Sequence, residues 1–376
     1  MSIELLNLTE KTEKILNNAL DEPLSIDDAN YLMNVKGQDI FGLLATADRV
    51  RNELIGDKVT FINNCNINFT NICKIRCGFC AFGKDRDDPE AHIQTDEEII
   101  KKGKCAVELG AHEFTLMGGV LPEADIEYYE HLLKLLKSNF PNTMIHGFSP
   151  TMIYDAAKVS EISIDEAFKI LKKAGLDSLP GTAAEILTDR ARGIICPKKV
   201  TTQEWIDIVE TAHKNGIPGS ATMMYGHIET MEERVITMDI LRQIQKKTGG
   251  FTEFIPMTFM PDYSPIFLEG QKNLGASGTE DLKLYAVGRL MYRDLIPNIQ
   301  VSWVKMGFRF AQVSLMAGAN DLGGTLGGDE LSEASGAPDG VDTSIEKLQK
   351  IAENIGRTPL ERNTHYTEFY PIKNKQ

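Results

Sequence analysis

The chain lacks several things that would point elsewhere. Basic residues are short, with 40 Lys and Arg against 54 Asp and Glu, so the net charge of −14 repels nucleic-acid phosphates and anionic membranes. No apolar run approaches the ~20 residues needed to cross a bilayer. The start, from Met1 to Lys14, mixes Glu and Lys and has no basic region followed by an apolar stretch, so no secretory signal is expected. No internal repeat or low-complexity segment stands out. Cysteine is scarce too, with six in 376 residues, and only Cys77 and Cys80 form a CxxC pair. A structural zinc commonly takes two such pairs, or one pair with HxxxH, so the missing second pair argues against zinc.

What is present is Cys73-Lys74-Ile75-Arg76-Cys77-Gly78-Phe79-Cys80, three thiols at CxxxCxxC spacing with no fourth close by. Three thiolates suit a [4Fe-4S] cluster with one iron left open for a substrate or cofactor, whereas electron carriers usually close every iron. Cys65, Cys105 and Cys196 lie in separate segments and read as ordinary small buried hydrophobes. Clustered unpaired thiols imply a reducing compartment, which places the protein in the cytoplasm.

Periodicity sets the fold class as α/β. Short runs rich in Val, Ile, Phe and Thr alternate with amphipathic stretches, the pattern of βα units in a parallel sheet. Strands are expected at 59–68, 113–117, 144–148, 177–179, 220–225, 253–257, 300–303 and 319–322. Helices are expected at 96–109, 126–138, 164–174, 202–215, 231–247 and 280–294. Thr95-Asp96-Glu97-Glu98 and Thr201-Thr202-Gln203-Glu204 carry capping-box chemistry, and Gly110, Gly175 and Gly216 mark helix ends. Eight units predict a (β/α)8 TIM-type barrel over residues 57–325, with a helical extension at 1–56 and a C-terminal extension at 326–376 packing on the barrel.

In such a barrel the loops at the C-terminal strand ends build the active site. The three cysteines follow strand one, and Gly118-Gly119 ends strand two, where missing side chains permit close backbone approach. An ordinary tight turn before Pro122 is the plain alternative. Glu185 follows strand four, while Tyr225, His227 and Glu229 follow strand five. His227 equally fits a hydrogen-bonded core histidine, and Glu229 a cap for the helix near Thr230. Ser149, Asn320 and Asp321 are weaker candidates, and Trp303 reads as a barrel-packing residue.

The aromatic before the last motif cysteine, Phe79, and the segments Phe148-Ser149-Pro150, 179–187, 221–230 and 317–325 carry a family resemblance over about residues 60–330. The chain resembles the radical S-adenosylmethionine (radical SAM) superfamily. Within it, the sequence is similar to the tyrosine-using 4-hydroxyphenyl transferases of deazaflavin coenzyme biosynthesis, the second subunit of deazariboflavin (FO) synthase, and more distantly to menaquinone-pathway relatives. The resemblance implies a [4Fe-4S] cluster on Cys73, Cys77 and Cys80. It also implies S-adenosyl-L-methionine held with help from Gly118, Gly119, Glu185, Tyr225 and His227.

The implied substrates are L-tyrosine and 5-amino-6-(D-ribitylamino)uracil, with 2-iminoacetate released and a one-electron reductant required. One CxxxCxxC implies that a separate ring-closing radical SAM subunit completes the deazaflavin. Met223, Met224, Tyr225, Arg309 and Gln312 are residues that fit a substrate pocket. Two departures stand at the barrel mouth. Met117-Gly118-Gly119-Val120-Leu121-Pro122 replaces the relatives' Gln-Gly-Gly followed by His before Pro, and Thr325-Leu326-Gly327-Gly328-Asp329-Glu330 replaces Thr-Leu-Met-Glu-Glu. They leave open a paralogue acting on another small aromatic substrate, such as a menaquinone-pathway intermediate.

Overall fold

A computed structural model describes residues 6–270 and 275–370. Its strands are β1 (Lys58–Ile62), β2 (Asn64–Asn68), β3 (Glu113–Met117), β4 (Met144–Gly147), β5 (Gly219–Tyr225), β6 (Phe251–Thr258), β7 (Asp321–Gly324), β8 (Thr358–Arg362) and β9 (Phe369–Tyr370). The expected first strand is split at Asn63 into β1 and β2, where the Asn63 side chain turns to donate to Leu109 O at 3.2 Å.

Parallel pairing runs around a ring. β2 pairs with β3 and β3 with β4. Bridges carry the ring from His146 to Ser178 and from Leu179 to Gly219. β5 pairs with β6, bridges join Phe254 to Ile299 and Gln300 to Asp321, and β7 returns to β1. The barrel therefore closes, as the alternation of periods predicts. Two expected strands are reduced to bridges. Pro180 lacks the N–H that would extend the 177–179 ladder, and at 302–303 the chain turns into the short helix Trp303–Met306.

Helices cover the outside, and the expected caps are formed. Thr95 with Glu98 and Thr201 with Glu204 make complete capping boxes. Gly175 ends its helix at φ 112°, a left-handed conformation open to glycine without a Cβ penalty. A further helix, Pro150–Val159, goes beyond the sequence reading, with Ser149 as its N-cap. α1 (Glu10–Ala19), α2 (Ile26–Met33) and α3 (Gln38–Ile55) pack outside the barrel, α2 and α3 on the helix Gly278–Tyr292, α2 also on Met231–Thr248, and α1 on α3. Lys283 Nζ donates to Met33 O at 2.7 Å, and Arg293 Nη1 to Ala19 O at 2.7 Å, tying this extension down.

The C-terminal segment does more than pack. β8 runs parallel to β1, from Lys58 opposite Thr358 to Phe61 opposite Glu361, and β9 folds back antiparallel on it. β8 thus inserts at the N-terminal end of the barrel, and Arg362 reaches inward to Asp321, Nε to Oδ2 at 2.7 Å.

The interior departs from the packed apolar core of an ordinary barrel. Alternate strand residues point inward. Here these include Asn64 and Asn66, Glu113 and Thr115, Ser220 and Thr222, and Glu253, all on the wall of a cavity of about 220 Å³ in the barrel lumen. The outward set is apolar and buried under the helices, for example Ile67, Phe114, Leu116, Ala221 and Phe254.

Candidate active site

The loop after β2 carries the three thiols and is fixed from several sides. Cys73 N donates to Lys84 O at 3.0 Å, Lys74 N to Val120 O at 3.0 Å, and Gly78 N to Ile195 O at 2.8 Å. Arg76 takes φ 52° to turn the chain between the first two cysteines. Cys73, Cys77 and Cys80 then face one cavity of about 200 Å³ at the barrel mouth, together with Gly118, Gly119 and Glu185.

The glycine pair is required by this loop. A Cβ on Gly119 would lie 2.1 Å from Ile72 O and 2.9 Å from Cys73 Cβ, and one on Gly118 would lie 2.9 Å from Thr70 O. The backbone of the thiol loop therefore rests directly on the end of β3. Gly119 N completes the contact by donating to Thr70 O at 2.8 Å.

The thiols are free, and burial works against ionisation of Cys77 and Cys80. Burial pushes Cys77 well above its ordinary value, with the Lys199 ammonium pulling the other way. Cys80 is also raised by burial, against N–H groups donated by Gly83 and Phe82. Such thiols favour the thiolate when a cationic centre supplies the missing countercharge. Among the described residues no group of His, Cys, Asp and Glu closes on a point that a single metal ion would fill. The donor set, three soft thiols spread around one cavity at the barrel mouth, fits an iron–sulfur cluster.

Lys199 is the residue that sequence reasoning passed over. Its Nζ donates to Glu185 Oε1 at 2.5 Å and lies 5.1 Å from the centroid of the Phe79 ring. Burial opposes its charge, yet Cys77, Glu185 and Cys196 hold the ammonium above the ordinary lysine value. For Glu185 burial is likewise opposed and outweighed, by Lys199 first and then by Arg192 and His227, so its carboxyl sits below the usual range. Glu185 adopts φ 48°, and Arg192 braces its turn by donating to Ala183 O at 3.1 Å. Lys305 is a second missed cation. It borders both cavities, and burial lowers its basicity while Asp329 opposes that effect. Only Lys305 carried a positional signal, close behind the expected strand at 300–303, whereas Lys199 lies well past the strand position 177–179, beyond the helix Asp189–Ile195.

Other candidates lie behind the wall. Tyr225 is the last residue of β5 and, an odd number of positions from Ser220 and Thr222, it points outward, donating from its hydroxyl to Asp281 Oδ1 at 2.6 Å. His227 Nε2 contacts Met224 O at 3.1 Å, and its Nδ1 lies 3.0 Å from Glu229 Oε2. Glu229 accepts from Gly226 N at 2.6 Å, His227 N at 2.9 Å and Arg234 Nε at 2.7 Å. Burial is outweighed by these partners, His227 foremost, and the Glu229 carboxyl falls to about 2.

Ser149 caps its helix and borders the cavity. Trp303 packs, stacked on Phe308 at 4.4 Å, and Asn320 and Asp321 serve Arg289 and Arg362. Met224 borders the mouth cavity, while Met223 points outward into the core. Arg309 and Gln312 belong to the outer helix Phe308–Leu315, away from both cavities. Cys65 and Cys196 are buried as expected. Cys105 is exposed, because it falls on the outward face of the helix Asp96–Glu108.

Comparison with known proteins follows the same lines. Residues 67–241 match the radical SAM superfamily, and residues 248–375 match the CofH/MqnC C-terminal region. The chain is 51% identical over 367 residues to the 5-amino-6-(D-ribitylamino)uracil–L-tyrosine 4-hydroxyphenyl transferase of Methanothermobacter thermautotrophicus, covering 98% of this chain and 100% of that one. It is 48% identical to the enzyme of that name in Methanococcus maripaludis, over 88% of this chain and 92% of the relative. In fold it is similar to the FeFe-hydrogenase maturase HydG of Carboxydothermus hydrogenoformans, with TM-score 0.76, 18% identity and coverage of 96% and 81%. It is also similar in fold to methylornithine synthase (PylB), with TM-score 0.72, 20% identity and coverage of 93% and 97%.

Proposed function

The chain belongs to the radical SAM superfamily and, within it, to the family of the 5-amino-6-(D-ribitylamino)uracil–L-tyrosine 4-hydroxyphenyl transferases, and on that footing we propose that it joins the 4-hydroxybenzyl group of L-tyrosine to that uracil. The Cα–Cβ bond of tyrosine breaks, the benzyl carbon bonds to the uracil, and the amino acid remainder leaves as 2-iminoacetate.

Cys73, Cys77 and Cys80 would hold the [4Fe-4S] cluster, and Gly118, Gly119 and Glu185 share the cavity in which S-adenosylmethionine would lie. The cluster, when bound, supplies the electron that cleaves S-adenosylmethionine to methionine and a hydrogen-abstracting 5′-deoxyadenosyl group. The chain's own part is enclosure and placement. Ile75, Phe79, Phe82, Met224, Met257 and Phe259 give the cavity an apolar wall that excludes water and competing hydrogen donors. Tyr225, bonded to Asp281, and His227, paired with Glu229, act from behind the wall, and Met224 N ties the end of β5 to Glu185 O at 2.7 Å. Lys305, between the two cavities, offers a cation to an amino acid carboxylate.

The observation that carries this reading is the direct junction of the thiol-lined cavity with the polar lumen, through Met117, Thr182, Met257, Lys305 and Leu331. The lumen gives a second substrate a place beside the first. The single cluster motif supports a separate ring-closing subunit as the next enzyme. A reducing compartment, the cytoplasm, suits the free thiols, and among the described residues no helix is long and apolar enough to cross a membrane.

Anaerobic incubation of the reconstituted protein with S-adenosylmethionine, a reductant, tyrosine and the ribityl uracil tests the proposal by mass spectrometry. The joined product is expected. 5′-Deoxyadenosine without that product would keep the radical chemistry and reject the substrate pair.

A further inference from the structure

We propose that the floor of the barrel lumen is a polyol site that takes the ribityl chain of the acceptor uracil, and that the C-terminal strand completes it from below. The inference rests on the substrate reading just given and adds where, and by which groups, the acceptor is held.

The floor is made by a segment outside the barrel repeat. β8 inserts beside β1 and delivers Arg362 and Thr364 to the wall of the lumen. Arg362 is already neutralised there by Asp321, with Nε at 2.7 Å from Oδ2. Its side chain is buried, so little of its charge is offered to a ligand.

Two polar atoms on this wall are left waiting. Asn66 Oδ1 and Thr364 Oγ1 are buried and have no hydrogen-bond partner among the described residues, although Asn66 is only 7% exposed and Thr364 only 5%. Buried polar atoms are nearly always paired, so an unpaired acceptor and hydroxyl on one cavity wall point to a ligand that supplies the partners. Both border the lumen, as do Glu113, Thr115 and Glu253.

The chemistry of the missing partner follows from charge. The floor offers carboxylates and hydroxyls, and His146 is kept neutral by its burial. An amino acid carboxylate placed there would face Glu113, with the nearby Arg362 already paired to Asp321. A chain of neutral hydroxyls suits the same groups, because each hydroxyl both donates and accepts. Lys305, at the junction with the thiol-lined cavity, is where a carboxylate is better received. The two substrates are thereby sorted by charge, with the polyol below and the amino acid above, next to the cluster loop.

The test is calorimetric binding to the anaerobically reconstituted holoenzyme without reductant. The probes are 5-amino-6-(D-ribitylamino)uracil, its hydroxyl-free counterpart 5-amino-6-(pentylamino)uracil, and L-tyrosine. The wild type is expected to bind the ribityl compound about tenfold or more tighter than the pentyl one, as several hydrogen bonds of ordinary worth imply. Thr364→Val and Glu253→Gln are each expected to weaken the ribityl compound about fivefold, leaving the pentyl compound and tyrosine unaffected. Thermal melting and cluster absorbance show that each variant is folded and loaded. Equal binding of the two uracils by the wild type, or variants that weaken tyrosine instead, would overturn the placement while the transferase reading stands. Binding of neither uracil alongside intact tyrosine binding would sink the acceptor assignment itself, and this inference with it.

Discussion

Lys199 and Glu185 form an ion pair, Nζ to Oε1 at 2.5 Å, with both side chains almost wholly withdrawn from solvent and Cys77 close enough to feel the lysine's charge. A charge left alone at such a site is costly, whereas removing both partners together costs much less. Lys199→Met is therefore expected to lower stability by about 3–5 kcal/mol, and the double variant Lys199→Met/Glu185→Gln to recover a large part of it. Urea denaturation of the two single variants and the double variant closes the cycle. Strictly additive losses would mean that the pair is not coupled.

The same lysine places a positive charge beside the thiol loop. A cluster held there is easier to reduce with that charge present, since net charge is among the determinants of cluster potential. The reduction potential of the reconstituted Lys199→Met protein is expected to fall below that of the wild type, with Lys199→Arg close to wild type. Redox titration followed by electron paramagnetic resonance gives both values, and an unchanged potential in Lys199→Met would refute the effect.

Gly119 carries a steric prediction. A methyl group there would meet the carbonyl oxygen of Ile72 at 2.1 Å, and a backbone atom cannot swing aside as a side-chain end does. Gly119→Ala must push the thiol loop off β3, so iron content after reconstitution should drop severely while far-ultraviolet circular dichroism stays near wild type. Gly193→Ala is the control. Its added Cβ has nothing within 4 Å and should leave iron content unchanged.

Much of this was legible in the residues, for reasons that can be named. The cap pairs Thr95 with Glu98 and Thr201 with Glu204 are local chemistry, and local chemistry survives folding. The three thiols were readable because their spacing is itself the signal. Lys199 and Lys305 were not, since their importance comes from burial beside groups distant in sequence. The polar lumen lay in plain view in the alternation Asn64, Asn66 and Glu113, Thr115, but such alternation on a strand ordinarily marks a solvent face. Only ring closure turns that face inward. Tyr225 illustrates the converse, because placing a residue at the end of a strand does not tell which way its side chain points until the register is known.

Glu253 gives the pH dependence. Burial raises its carboxyl to about 7 from an ordinary 4.5, with Arg362 and Thr252 pulling it back down. Between those two values the folded protein holds a proton that the unfolded chain has released. Stability from this group is therefore present at acid pH, declines as pH rises through the window, and is lost above about 7. The difference is worth roughly 3 kcal/mol. Glutamine in its place stays neutral at every pH, so Glu253→Gln should show a smaller loss of stability between pH 5 and pH 8 and should exceed the wild type at the upper end. Urea midpoints at the two pH values, in both proteins, measure it. Neighbouring Glu113, Asp321 and Arg362 are common to both proteins, so their titration largely cancels in the comparison. The same fall in wild type and variant would show that Glu253 is already ionised in the native barrel.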